Sequence, residues 1–216
     1  MTLQVRIESL NVGKPQLLKG HPKEVMSGFG KQGTEETLFL SQVNLDGDGQ
    51  ADLVHHGGVD KTVCVYCYKH YPYWEQRLGV RMLPGAFGEN ITLDELTEED
   101  VCIGDVFGWG EAVVQISQPR QPCFKIAAYH QIPELTAYVE QTGYTGFYFR
   151  VLQKGKVSKA DGLIKLQDDP LGVTVSFANT IMYHRKEDVT SLRTLLDVPA
   201  LSDSWRNTLS KRLAKL

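Results

Sequence analysis

The residues best suited to chemistry lie in Ser117-Gln118-Pro119-Arg120-Gln121-Pro122-Cys123-Phe124-Lys125. One thiol sits between two cations and behind two prolines, where an apolar run (Val113, Val114, Ile116) gives way to a helix-like pattern (Phe124, Ile126, Ala127, Ala128). Nearby positive charge and the positive end of a helix dipole both favour the thiolate, the form of cysteine that attacks or binds metals. Arg120 and Lys125 are also placed to hold an anion beside the sulfur. Cys123 therefore reads as a reactive thiol. The alternative is a buried filler, the commoner fate of a free cysteine.

Other segments offer weaker signals. In His55-His56-Gly57-Gly58-Val59-Asp60-Lys61, two glycines suggest a backbone that approaches something closely, with donors beside it; a tight hairpin turn is the plainer reading. Adjacent strand histidines point to opposite faces, so this pair does not chelate one metal together. In Gly85-Ala86-Phe87-Gly88-Glu89-Asn90-Ile91, Asn90 can read a heterocycle edge or simply cap its own turn. Lys14 and Lys31 each follow a glycine and are either solvated loop cations or phosphate ligands. Asp46-Gly47-Asp48-Gly49-Gln50-Ala51-Asp52 imitates a calcium loop, but Gly57 stands where a bidentate glutamate belongs, so a polar turn is expected. Cys64-Val65-Tyr66-Cys67 has redox-motif spacing, yet its neighbours argue for a strand. Its thiols then face opposite sides, as structural filler.

These residues must be positioned by short elements. Alternation around Leu3, Val5 and Ile7, and in 37–43, 62–68, 101–107, 112–117, 146–153 and 162–166, suggests strands punctuated by glycine and proline. The pattern fits a barrel or sandwich. Pro72–Leu78 reads as a helix closed by Gly79, and Cys123–Gln141 as helix broken near Pro133 and closed by Gly143. After Asp168-Asp169-Pro170 the texture turns helical. Three segments begin at candidate N-caps Ser176, Asp188 and Ser202. We therefore expect an α+β protein, with a β-rich domain over 1–170 and a small three-helix appendage over 171–216. So small an appendage must pack on the β-rich part or against a second copy in a homodimer.

Composition narrows the class. Of 216 residues, 42% are hydrophobic, enough for a core, and the net charge of −3 argues against a stable nucleic-acid partner. No apolar run approaches the ~20 residues of a membrane span. The N-terminus alternates like a strand and has no signal-peptide core. A cytoplasmic protein without a membrane partner, its four cysteines reduced, is the expectation.

Taken together, Gly47-Asp48-Gly49-Gln50-Ala51-Asp52, His56-Gly57-Gly58-Val59-Asp60-Lys61, Gly85-Ala86-Phe87-Gly88-Glu89-Asn90-Ile91, Ile103-Gly104-Asp105 and Gln118-Pro119-Arg120-Gln121-Pro122-Cys123 resemble the MOSC family. Its domains are similar to the C-terminal part of molybdenum cofactor sulfurases. The motifs cover roughly residues 25–165, and the C-terminal helices resemble the three-helix domain of a bacterial subfamily that confers resistance to hydroxylaminopurine. The resemblance implies a barrel-like fold that binds the molybdenum cofactor (molybdopterin), with Cys123 as catalytic thiolate ligand to molybdenum. It also carries a family-level association with pyridoxal phosphate binding. Arg120 and Lys125 become partners of the cofactor's anionic groups; Lys14, Lys31, His56, Asp60, Lys61 and Asn90 are further cofactor-binding candidates. Cys67 has no counterpart in the family pattern.

The implied activity is reduction of small N-hydroxylated compounds, including base analogues, to amines, a detoxifying oxidoreduction. A carrier of cofactor or sulfur without turnover is the alternative. With no dinucleotide fingerprint and no ferredoxin-type cysteine cluster in the chain, electrons would come from a separate reductase.

Overall fold

The computed structural model describes residues 3–18, 24–52 and 57–216. In chain order its strands are β1 (Gln4–Val5), β2 (Ile7–Val12), β3 (Gln16–Leu17), β4 (Met26–Ser27), β5 (Gln32–Gly33), β6 (Leu38–Leu40), β7 (Val63–Cys67), β8 (Ile91–Leu93), β9 (Val106–Trp109), β10 (Ala112–Pro119), β11 (Phe147–Gln153), β12 (Gly155–Val157) and β13 (Leu163–Gln167). The helices are α1 (Tyr71–Leu78), α2 (Phe124–His130), α3 (Leu135–Thr142), α4 (Val175–Tyr183), α5 (Val189–Leu196) and α6 (Asp203–Leu213).

Nine strands form one sheet in the order β1-β13-β9-β10-β11-β7-β8-β2-β5, and two small ladders pair β12 with β6 and β3 with β4. Among the described residues the large ladder ends at β1 and β5 without closing, so the molecule is α+β and β-rich rather than a sealed barrel. Its pairs are antiparallel except β7 with β8, where Val65 lies beside Ile91. Parallel neighbours require a crossover, which residues 68–90 supply with α1.

β7 explains much of the interior. All five of its residues are buried. Strand alternation sends Val63, Val65 and Cys67 into the main core, while Tyr66 enters a second, aromatic core with Trp74, Phe87 and Ile126. Tyr66 stacks on Phe87 with centroids 4.0 Å apart. Its hydroxyl accepts from Trp74 Nε1 at 2.6 Å and donates to the Tyr144 carbonyl at 3.0 Å. A buried phenol thus meets the need for polar partners.

Local signals set most helix ends. Pro72 opens α1, and Gly79 closes it in the left-handed region at φ 66°. Asp188 and Ser202 cap α5 and α6 as expected from their types. The α4 cap is Thr174 rather than Ser176. Its hydroxyl accepts from Phe177 N at 3.0 Å, and the chain is already bridged to Cys102 there, so the helix starts two residues earlier. The strand anticipated over 101–107 begins only at Val106, because Gly104 turns the chain at φ 105°. The three C-terminal helices do not stand apart. Ile181, Leu195, Trp205 and Leu209 belong to the same apolar cluster as Val114 and Ile116 of β10.

Candidate functional site

The last four residues of β10, Ile116 to Pro119, are buried, and the strand delivers Arg120 and Cys123 to a cleft. Prolines 119 and 122 restrict the turn between strand and helix. The Arg120 N–H donates to the Gly146 carbonyl at 3.0 Å. Gly146 has φ 70°, and any side chain there would strike the Val65 carbonyl, so glycine is required for β7 and β11 to meet beside the site.

Arg120 is only 8% exposed, with its guanidinium carbon 5.6 Å from the centre of the Phe29 ring. Every aspartate and glutamate of the chain is among the described residues, and none pairs with Arg120. Burial works to lower this guanidinium's pKa, but the acidic side chains around it, Cys64, Tyr148, Cys123 and Glu89, leave it above its ordinary value. A buried cation without a carboxylate is costly. Its place in the cleft leaves it able to receive an anion from outside the chain.

Cys123 occupies the N-cap of α2 in extended conformation, φ −125° and ψ 163°, half-buried. Lys125, one residue into the helix, lines the same cleft, and so does Lys61 at the end of the 3-10 turn Val59–Lys61. Burial lowers the Lys61 ammonium below its ordinary value, against the opposing charges of Asp60 and Asp52.

Lys31 and Asn90 also line the cleft, but their polar atoms are engaged. Lys31 Nζ forms a buried ion pair with Asp48. Asp48 also accepts from Gly13 N at 3.1 Å and from Asn90 Nδ2 at 2.9 Å. The Asn90 Oδ1 accepts from Cys64 N at 3.0 Å, so its amide fastens the wall instead of facing a ligand. The calcium-like segment is a turn whose Asp48 carboxylate serves protein donors.

Two candidates lie elsewhere. Asp60 pairs with Arg150 at 2.7 Å and accepts from Asp203 N at 3.3 Å, tying its turn to β11 and α6. Lys14 Nζ donates to the Asp48 carbonyl at 2.9 Å, and Lys14 does not line the cleft. His56 falls outside the described residues.

Sequence reasoning missed several cleft residues, Cys64, Tyr148, Phe29 and Asp48 among them. Cys64 is not mere filler: it faces the cleft, paired across the ladder with Tyr148, while Cys67 packs into the core. Burial raises both the Cys64 thiol and the Tyr148 phenol, so each keeps its proton. Strand parity already separated Cys64 from Cys67 but could not say which side was the cleft. Phe29, bracketed by Gly28 and Gly30, and Asp48 line the cleft too; the bracketing glycines were the available signal for Phe29.

Comparison with known proteins gives the same order of segments. Residues 52–163 match the MOSC domain, and residues 173–216 match the YiiM-like, 3-alpha helix domain. Protein YflK of Bacillus subtilis (strain 168) is 50% identical over 208 residues, covering 96% of this chain and 94% of its own. Protein YiiM of Escherichia coli (strain K12) is 37% identical, covering 90% and 88%. A protein of Gibberella moniliformis named a reductase is 33% identical over 148 residues, which are 67% of this chain but 26% of that protein. The crystal structure of YiiM from Geobacillus stearothermophilus superposes with a TM-score of 0.83 at 39% identity, covering 97% of this chain and 99% of that one. The chain belongs to the MOSC family, in the branch that carries the YiiM-like three-helix domain.

Proposed function

We propose that the protein binds the molybdenum cofactor in this cleft and reduces N-hydroxylated compounds, including hydroxylaminopurine-type base analogues, to amines. The observation that carries the reading is Arg120, buried without a carboxylate and opening on the same cleft as the Cys123 thiol. MOSC domains are associated in general with the molybdenum cofactor, and the donor set fits it. A thiolate suits a soft metal, arginine grips a phosphate with two parallel bonds, and lysine adds a point charge. The same cations would suit the phosphate of pyridoxal phosphate, but that group has no use for a thiol ligand. The matching segment of the fungal protein named a reductase supports oxidoreduction in a coarser way.

When bound, the cofactor would supply two-electron redox chemistry at the N–O bond. The chain's own residues do the rest. Cys123 would hold the metal through Sγ, and Arg120 with Lys125 would fix the cofactor's anionic groups. Lys61 Nζ would deliver a proton to the departing oxygen; its lowered pKa makes the ammonium a better acid than a solvated lysine. Tyr148, which keeps its proton, would act as a neutral hydrogen-bond donor. Overall, hydroxylamine, two electrons and two protons give amine and water. A separate reductase would supply the electrons.

The test compares wild type with Cys123→Ser, both purified from a host that makes the cofactor. Wild type should carry about one molybdenum per chain, as one thiolate site implies, and reduce a hydroxylamine substrate with an artificial donor. Cys123→Ser should lose both. Loaded wild type without turnover would instead establish a carrier. Unchanged metal content and activity in Cys123→Ser would remove the thiol from the mechanism.

A further inference from the structure

Cys67, His70 and Glu98 lie outside the cleft, and nothing in the proposed reaction uses them. Cys67 ends β7, His70 ends the 3-10 turn Tyr68–His70, and Glu98 comes from the loop after β8. They are 0%, 6% and 3% exposed, and one ligand atom from each lies within 4.8 Å of the other two. We propose that these three side chains form a second metal site, for a divalent ion of the zinc type, with solvent as fourth ligand.

The donor chemistry selects the ion. One thiolate, one imidazole and one carboxylate suit zinc and its neighbours, whereas magnesium and calcium require an all-oxygen set. Zinc bonds of 2.0–2.3 Å at tetrahedral angles put ligand atoms about 3.3–3.6 Å apart, a spacing this cluster can meet. The His70 Nε2 and Glu98 Oε2 atoms, 2.6 Å apart, would separate by less than an ångström to admit the ion. The ion would take the place of the thiol proton of Cys67.

Outer contacts already orient two of the ligands. The His70 ring lies flat on Tyr144, with centroids 3.8 Å apart and planes at 8°. The Glu98 Oε1 accepts from Gly146 N at 2.7 Å. Such supports commonly fix metal ligands. A surface recess lined by His70, Glu98, Thr142, Tyr144 and Ser176 provides an entry path and room for the solvent ligand. The site would act as a brace. Glu98 holds the Gly146 N–H while the Gly146 carbonyl accepts from Arg120 N, so the ion would steady the backbone that carries Arg120. The proposal is independent of what the cleft binds.

The test uses cobalt(II) as a spectroscopic stand-in on metal-stripped, full-length protein. With Cys64, Cys102 and Cys123 all changed to serine, Cys67 is the remaining thiol. One equivalent of cobalt should give a sulfur-to-cobalt charge-transfer band and intense tetrahedral visible bands, and zinc should abolish them. Adding His70→Ala or Glu98→Gln should weaken binding more than about 100-fold, beyond the loss usual for an outer contact. Absence of the band, or binding indifferent to His70 and Glu98, overturns the proposal. A second measurement needs no cysteine variant. Zinc at 100 times its dissociation constant should raise the melting temperature of wild type by roughly 5–10 °C, and His70→Gln should erase the rise. No rise in wild type rejects the site even if the serine variant fails to fold.

Discussion

Lys31 and Asp48 bury opposite charges together, their side chains 6% and 1% exposed, whereas Arg120 is buried without a carboxylate. The first arrangement is self-contained and structural; the second has no carboxylate of its own and is open to an anion from outside. Asp48→Ala should therefore cost about 3–5 kcal/mol in urea unfolding, because it strands a buried ammonium. His130 gives a pH signature. Its Nε2 donates to the Ala86 carbonyl at 2.8 Å, and burial lowers its pKa although that bond and Glu89 oppose the shift. The unfolded chain then takes up the proton first. Stability should be intact above about pH 6.5 and decline as pH falls through that value, levelling off below the folded pKa. His130→Gln, which keeps a donor, should flatten that decline in melting curves taken across the range. Sequence types were enough to single out Arg120, Cys123 and Lys125. They could not show that Asn90 and Lys31 spend their polar atoms on Cys64 and Asp48, because those partners are distant in the chain.

At the scale of elements, the junction of β7, β10 and β11 sets the site. Gly146 allows it, in a left-handed conformation against the Val65 carbonyl. Gly146→Ala should lose at least about 1–3 kcal/mol from backbone strain alone, read as a lowered denaturation midpoint with an unchanged slope. Elements with strong local punctuation were legible in the sequence. Pro72 and Gly79 bound α1, and the stop near Pro133 divides α2 from α3. β8 was not legible. Its three residues are all buried, so no alternation appears, and its parallel partner lies beyond a crossover. Local periodicity carries no information about such a pairing.

For the whole molecule, the shared core decides how the C-terminal helices behave. Trp205 and Leu209 belong to the same apolar cluster as β10, Ser202 N donates to the Ser117 carbonyl at 3.0 Å, and Ser204 Oγ donates to Gln118 at 3.0 Å. These contacts lie on the strand that leads into Arg120. Calorimetry should accordingly show one unfolding transition for the full chain, and a chain ending at residue 172 should lose cooperative melting; two separate transitions would contradict this. The sequence analysis left open whether the helices pack on the sheet or on a second copy, since an amphipathic face does not name its partner. The crossover between β7 and β8 has a kinetic consequence. Asn90, at its end, accepts from Cys64 N and donates its own N–H to the Cys64 carbonyl at 2.8 Å. Forming the ladder and finishing the cleft wall are thus one folding event. A wall built this way stands before any ligand arrives, so capture of an anion there should be a bimolecular encounter steered by the cleft cations and slowed by salt.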